Sequence, residues 1–169
     1  MMKSPMILKE KMSMEFGKGL CSGLKVKGHI KLELFGPNGR LKDVQEVDNL
    51  VTNLGFAMVA NRLSSSVTVA IPGWMEVGTS TGSTAASSTL ATYIAGSRTA
   101  LDSSVASGAV LTMKCTFPAG TGTGTITEAG VFNDSTEDTT DLICYDDSIN
   151  VGKGAGDSLV ATWTLTFSA

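Results

Sequence analysis

Residues 157–167 alternate without a break. Leu159, Ala161, Trp163, Leu165 and Phe167 fall on one phase, and Ser158, Val160, Thr162, Thr164 and Thr166 on the other. Successive side chains of an extended chain point to opposite faces, so a period of two held this long specifies a half-buried β-strand. Residues 111–117 repeat the pattern, with Leu111, Met113, Cys115 and Phe117 against Thr112, Lys114 and Thr116. The two segments match as partners in a β-sandwich or barrel core. A further pair opens at His29: Ile30, Leu32 and Leu34 alternate with Lys31 and Glu33, Gly36-Pro37-Asn38-Gly39 makes a turn, and residues 41–47 return as a second strand. That arrangement is a hairpin.

Asn49 or Thr52 is suited to cap a helix running to about Leu63, with Leu54, Ala57 and Met58 on one face, although Gly55 weakens the helix. Residues 74–77 form a short strand that runs into a Gly/Ser/Thr loop. Residues 85–108 lack a clear period and are expected to be mainly loop with a short helix or turn. Strands are expected over 110–117, 123–132, 142–149 and 157–167, with turns at Pro118-Ala119-Gly120, over the acidic residues 133–141, and at the glycines 152–156. The C-terminal half thus predicts an antiparallel meander or part of a Greek key. Residues 1–28 hold no sustained period and are expected to be an extended arm, leaving 29–169 as one β domain. At 169 residues a single core is expected.

Charge separates the same two regions. Residues 1–31 carry seven Lys and two Glu, a balance of +5, whereas residues 32–169 carry six basic and fourteen acidic residues, a balance of −8. The basic segment is either a solvated tail or an arm that docks on an acidic neighbour. It has no Arg for bidentate phosphate contacts, which weighs against a nucleic-acid arm. Gly, Ser and Thr supply 57 of the 169 residues and charged residues only 17%. Such a surface suits strands joined by hydroxyl-rich loops, and also suits packing against neighbours, because interface cores are depleted in Lys, Glu and Asp. No apolar run approaches the roughly 18 residues of a membrane span, and the run 5–8 is too short for a signal peptide. Folding in a cytoplasm is expected. Asn133-Asp134-Ser135 then matches a glycosylation sequon by chance.

Candidate chemistries are few. Cys21, Cys115 and Cys144 show no C-x-x-C spacing and are expected to be reduced and mostly buried. His29 is the only histidine, without a G-x-S-x-G nucleophile elbow, so a surface or strand-end residue is expected rather than a general base. The glycines of 120–125 and 152–156 fit neither phosphate-loop pattern and are expected at hairpin positions needing positive φ. Asp134, Glu137, Asp138 and Asp141 offer oxygen ligands, but their spacing is not that of a calcium loop, and a solvated loop is the expectation. Glu128, inside a strand pattern, needs a partner to compensate its burial. No catalytic residue, cofactor or metal ligand is assigned.

Three blocks, in order, carry a resemblance: Trp74-Met75-Glu76-Val77-Gly78-Thr79 with the Ser/Thr run after it, Ile126-Thr127-Glu128-Ala129-Gly130-Val131-Phe132-Asn133 with the glycine-rich stretch that precedes it from Phe117, and Asp157-Ser158-Leu159 through Trp163 to Phe167. Together with Asn49-Leu50-Val51-Thr52-Asn53-Leu54-Gly55 they resemble a family of tailed-bacteriophage virion proteins over roughly residues 48–167. The stretch 85–108 departs from the family pattern, and the arm lies outside it. The resemblance implies a non-enzymatic capsid cement or decoration protein, a jelly-roll-like antiparallel β-sandwich with one short helix, commonly a homotrimer on the outer head surface, with the major capsid protein as partner and neither nucleic acid nor membrane involved. A tail, baseplate or fibre-attachment subunit is the structural alternative. A carbohydrate-binding jelly roll is a further one, and would need Trp74 or Trp163 exposed for stacking. A hydrolase ranks last.

Composition alone supplies the candidate contact residues. Pro5, Met6, Ile7, Leu8, Met12, Met14 and Phe16 are apolar anchors, and Lys3, Lys9 and Lys11 pair with acidic patches on the capsid or on an adjacent subunit. A segment of this composition has little means of burying its apolar side chains until a partner provides a surface.

Overall fold

The computed structural model describes residues 23–168. They are mainly β, with β1 (Lys25–Phe35), β2 (Leu41–Val51), β3 (Trp74–Gly78), β4 (Thr99–Ala100), β5 (Ser103–Ser107), β6 (Val110–Phe117), β7 (Gly124–Ile126), β8 (Glu128–Phe132), β9 (Leu142–Asp146), β10 (Val151–Lys153) and β11 (Ser158–Ser168). One short helix, α1 (Asn53–Arg62), follows β2. Nine strands form one antiparallel sheet in the order β4-β3-β8-β9-β2-β1-β11-β6-β5, and β7 pairs with β10 apart from it.

β6 pairs with β11, and β1 with β2, as the alternation predicts; the ladder between β1 and β11 was not expected. β11 lies between β1 and β6, so three rows of inward side chains cross the three strands: Ile30, Trp163 and Met113; Leu32, Ala161 and Cys115; Leu34, Leu159 and Phe117. These pack in one core with Met75 and Val77 of β3, Ala129 and Val131 of β8 and Cys144 of β9. Strands far apart in the sheet order share that core, so the sheet curls onto itself. β2 supplies the bend. It pairs with β1 as far as Asn49, but only Leu50 and Val51 reach β9, opposite Tyr145 and Cys144. A strand that leaves one ladder for another makes the corner between two packed layers.

Every residue of β8 and of β9 is buried, which alternation did not foresee. Their inner face meets the core. Their outer face is covered by α1 and by the loop 79–98, beneath which Leu90, Phe132, Leu142 and Tyr145 form a second cluster. Strands covered on both faces lose the polar phase.

Several expectations are corrected. Residues 25–28, assigned to the arm, belong to β1, whose ladder with β11 begins at Lys25 opposite Ser168. The segment 123–132 is two strands: at Thr127 the chain passes from the β7–β10 ribbon into the main sheet. Strand 142–149 ends at Asp146, and the glycine turn begins inside β10. The loop 85–108 holds β4 and β5 and no helix; their Ser, Thr and Ala side chains gave no apolar period. Helix α1 has Thr52 as N-cap and Leu63 as C-cap, but Gly55 and Met58 face inward while Leu54 and Ala57 are exposed. Gly55 explains the rotation, since a Cβ there would lie 2.3 Å from the Ile143 carbonyl oxygen, so the helix rests on β9 along its glycine edge. Of the two glycine clusters, Gly120, Gly122 and Gly124 have positive φ, whereas Gly152, Gly154 and Gly156 do not. Gly156 is required instead by close approach to Pro37, 2.9 Å from where a Cβ would stand.

Cys115 and Cys144 are free and buried. Burial pushes the Cys115 thiol up to about 12 and that of Cys144 well above its ordinary value. The thiolate is the reactive species. Both are therefore expected to resist alkylation in the native protein and to react once denaturant is added, as read by peptide mass spectrometry. Native labelling of either would show that the core opens.

Candidate interaction surface

The carboxylates of the second and third resembling blocks, Glu128 and Asp157, are structural anchors. Glu128, fully buried at the start of β8, accepts from the backbone N–H groups of Ser80 (3.2 Å), Thr92 (2.7 Å) and Ala91 (3.0 Å) and from the Ser83 hydroxyl (3.3 Å). It thereby satisfies loop donors that have no strand to pair with, which is the compensation its burial demands. The same loop is held by Leu142 N–H to the Ser88 carbonyl, Asn53 N–H to the Ala85 carbonyl and Tyr145 Oη to the Ser83 carbonyl. Asp157, at the start of β11, accepts from Lys42 Nζ (2.6 Å) and Gly154 N–H (2.9 Å). The Lys42 contact leads in holding its carboxyl below the usual range. Beside it, buried Lys153 donates to the carbonyls of Pro118 (2.9 Å) and Asp157 (2.7 Å), and burial pulls its pKa down. With carbonyls as its acceptors, Lys153 ties the turns before β7 and β11 together.

Glu128→Gln keeps the side-chain shape but puts an NH2 where a loop N–H or hydroxyl donor now points. The expected loss is about 1–3 kcal/mol, the cost of one unpaired buried polar group. Faster proteolysis within 79–98 should accompany it. Unchanged stability and cleavage would show that the loop is held elsewhere.

The acidic loop is not solvated throughout. Arg98 is its cation: Nη1 donates to the Asp134 carbonyl (2.8 Å) and lies 3.5 Å from Asp141 Oδ2, Nη2 donates to Glu76 Oε2 (3.1 Å), and the backbone N–H donates to Glu137 Oε1 (3.2 Å). The guanidinium lies 3.5 Å from the centroid of Phe132. Among the described residues no group of three His, Cys, Asp or Glu is placed to hold a metal ion. His29 sits half exposed on β1, with Asp48 at 3.4 Å and Glu46 at 3.8 Å on the neighbouring β2. Trp163 is wholly buried and offers no stacking platform; Trp74 is partly buried against the second cluster.

Ten large apolar side chains are exposed among the described residues, and six of them, Leu50, Leu54, Phe56, Leu63, Val67 and Ile71, fall within one short stretch around α1. Phe56, Val59, Ala60 and Leu63 stand at i, i+3, i+4 and i+7, a spacing that makes one helical stripe. Phe56 is 46% exposed and Leu63 84%. A helical stripe left in solvent fits a groove or face of a partner better than it fits a monomer's surface. The apolar spacing by itself does not distinguish this stripe from a core face, and the role of Gly55 in turning the helix leaves no mark on the pattern. The arm candidates Lys3, Pro5, Met6, Ile7, Leu8, Lys9, Lys11, Met12, Met14 and Phe16 lie outside the described residues. No described helix is long and apolar enough to cross a membrane. No family model, curated protein or solved structure matches the chain.

Proposed function

We propose that the chain is a non-enzymatic structural protein of a tailed-phage virion: a capsid cement or decoration subunit that binds the outside of the major capsid protein shell and stabilises the head. In this reading the curled sheet is a jelly-roll-like sandwich, copies associate as a homotrimer, and residues 3–16 contact the capsid or an adjacent subunit through their apolar anchors and lysines.

One observation carries the reading. The blocks that resemble the family form a single bonded unit rather than scattered matches. β3 of the first block pairs with β8 of the second from Trp74 opposite Phe132 to Gly78 opposite Glu128. Glu128 then gathers the loop that continues the first block, and Phe117, which opens the second, pairs with Leu159 of the third. The acidic members of the second and third blocks are used for loop anchoring, as a rigid assembly subunit requires. The exposed stripe on α1 supplies a second apolar contact besides the arm, and several modest contacts on one subunit add to tight attachment.

The test is cryo-EM of the source virion together with co-sedimentation of purified protein with heads assembled without it. Density on the head surface and saturable binding are expected. Density confined to the tail or baseplate would replace the head assignment with the tail alternative, and absence from the particle would end the virion reading.

A further inference from the structure

β5 ends the nine-stranded sheet, and its ladder is one-sided: Ser103 to Ser107 pair with Lys114 to Val110 of β6 and with no other described strand. All five residues are exposed, including Val105. Natural sheet edges are blunted by shortness, charge, proline or a bulge. The opposite edge is blunted, because β4 has two residues. β5 has five, Ser-Ser-Val-Ala-Ser, with no charge, no proline and an unbroken register.

We propose that β5 is a docking edge for a second copy of this chain, paired antiparallel about a twofold axis at Val105. In that register Ser103 faces Ser107 of the second copy, Ser104 faces Ala106, and Val105 faces itself. Every pair is small or apolar; Asp102, the charge that flanks the strand along the chain, falls opposite Gly108 rather than opposite its own symmetry mate, and Lys114, across the ladder from Ser103, lies one strand back from the seam. Like charges directly opposed would disfavour the pairing. A head-to-tail ring through the sheet edges is disfavoured, since β4 offers only two residues to a five-residue strand, so the contact is isologous. It links copies across rather than within the threefold oligomer that the resemblance implies. A single strand pair buries less than the roughly 1,200 Å² of a standard interface, so it is weak in free solution and gains when copies are arrayed.

The experiment uses full-length chains carrying Cys21→Ser, in which the two other cysteines are buried. Under oxidation Val105→Cys should form disulfide-linked dimers at least about tenfold faster than Ser103→Cys, because only the first places like positions within bonding distance. A mixture of Ser103→Cys and Ser107→Cys should cross-link readily, and adding Val105→Lys to both should suppress it. Equal rates for Val105→Cys and Ser103→Cys, or indifference to the lysine, overturns the proposal. A Val105→Cys thiol that pairs with Cys21 where that residue is retained would show the edge taken by the N-terminal segment, and overturns the second copy as occupant. All readouts are on purified protein, so this outcome and that of the head-binding test are independent.

Discussion

Replacing Trp163 with alanine is expected to destabilise the fold by about 3–5 kcal/mol, the usual cost of emptying a large aromatic site in a core. The residue has no exposed surface and stands between Ile30 and Met113 on the inner face of β1, β11 and β6. Its neighbours in the next row include Ala161, too small to move into the space. Measured against a total stability of about 5–15 kcal/mol, the loss is a large fraction, and it should lower the melting temperature by roughly 6–20 °C. Trp163→Phe should cost much less, since the indole N–H is buried without an acceptor and its removal breaks no hydrogen bond. Thermal unfolding followed by circular dichroism measures both. A W163A melting temperature equal to that of the parent would place Trp163 outside the core and revive its use as a carbohydrate platform.

What could be read from the chain, and what could not, follows from how many faces of each strand meet solvent. β1, β6 and β11 are covered on one face, so their phase is written in the order of Leu, Ile and Met against Thr and Lys; the pairing of β6 with β11 was legible, whereas that of β1 with β11 joins distant segments and leaves no mark in either. The Thr52 cap and the Gly36–Gly39 turn were legible for a local reason, since a cap or a turn needs only its own few residues. β8 and β9 are covered twice and carry no alternation. β4 and β5 are made of residues that also make loops, and only their ladders, β4 to β3 and β5 to β6, distinguish them. The anchoring role of Glu128 was half legible: a carboxylate in a strand pattern required a partner, but the backbone donors of Ser80, Ala91 and Thr92 come from another part of the chain and carry no side-chain signature. Arg98 left less trace still, because its acidic partners were visible and the cation that gathers them was not.

Replacing Arg98 with alanine is expected to cost about 3–5 kcal/mol at neutral pH, the effect of leaving a buried ion pair half empty. Arg98 and Glu76 side chains are each 2% exposed, and Asp141 is little more so. Burial already raises the pKa values of Glu76 and Asp141, with Arg98 opposing the rise in both. Without the guanidinium that opposition disappears, along with the stacking on Phe132. A carboxyl whose folded pKa lies above its unfolded value contributes stability that is complete below the unfolded value and lost as pH rises through the folded one. The defect of Arg98→Ala should therefore be largest at neutral pH and shrink as pH falls toward the ordinary carboxylate range near about 4. The double variant Glu76→Gln with Arg98→Met removes both members of the closest pair, and should recover much of the loss, because a neutral, well-filled site avoids the desolvation cost. Urea midpoints at neutral and mildly acidic pH give the comparison. A deficit that does not vary with pH would mean that the damage is lost packing on Phe132 and that the stranded carboxylates are not its source.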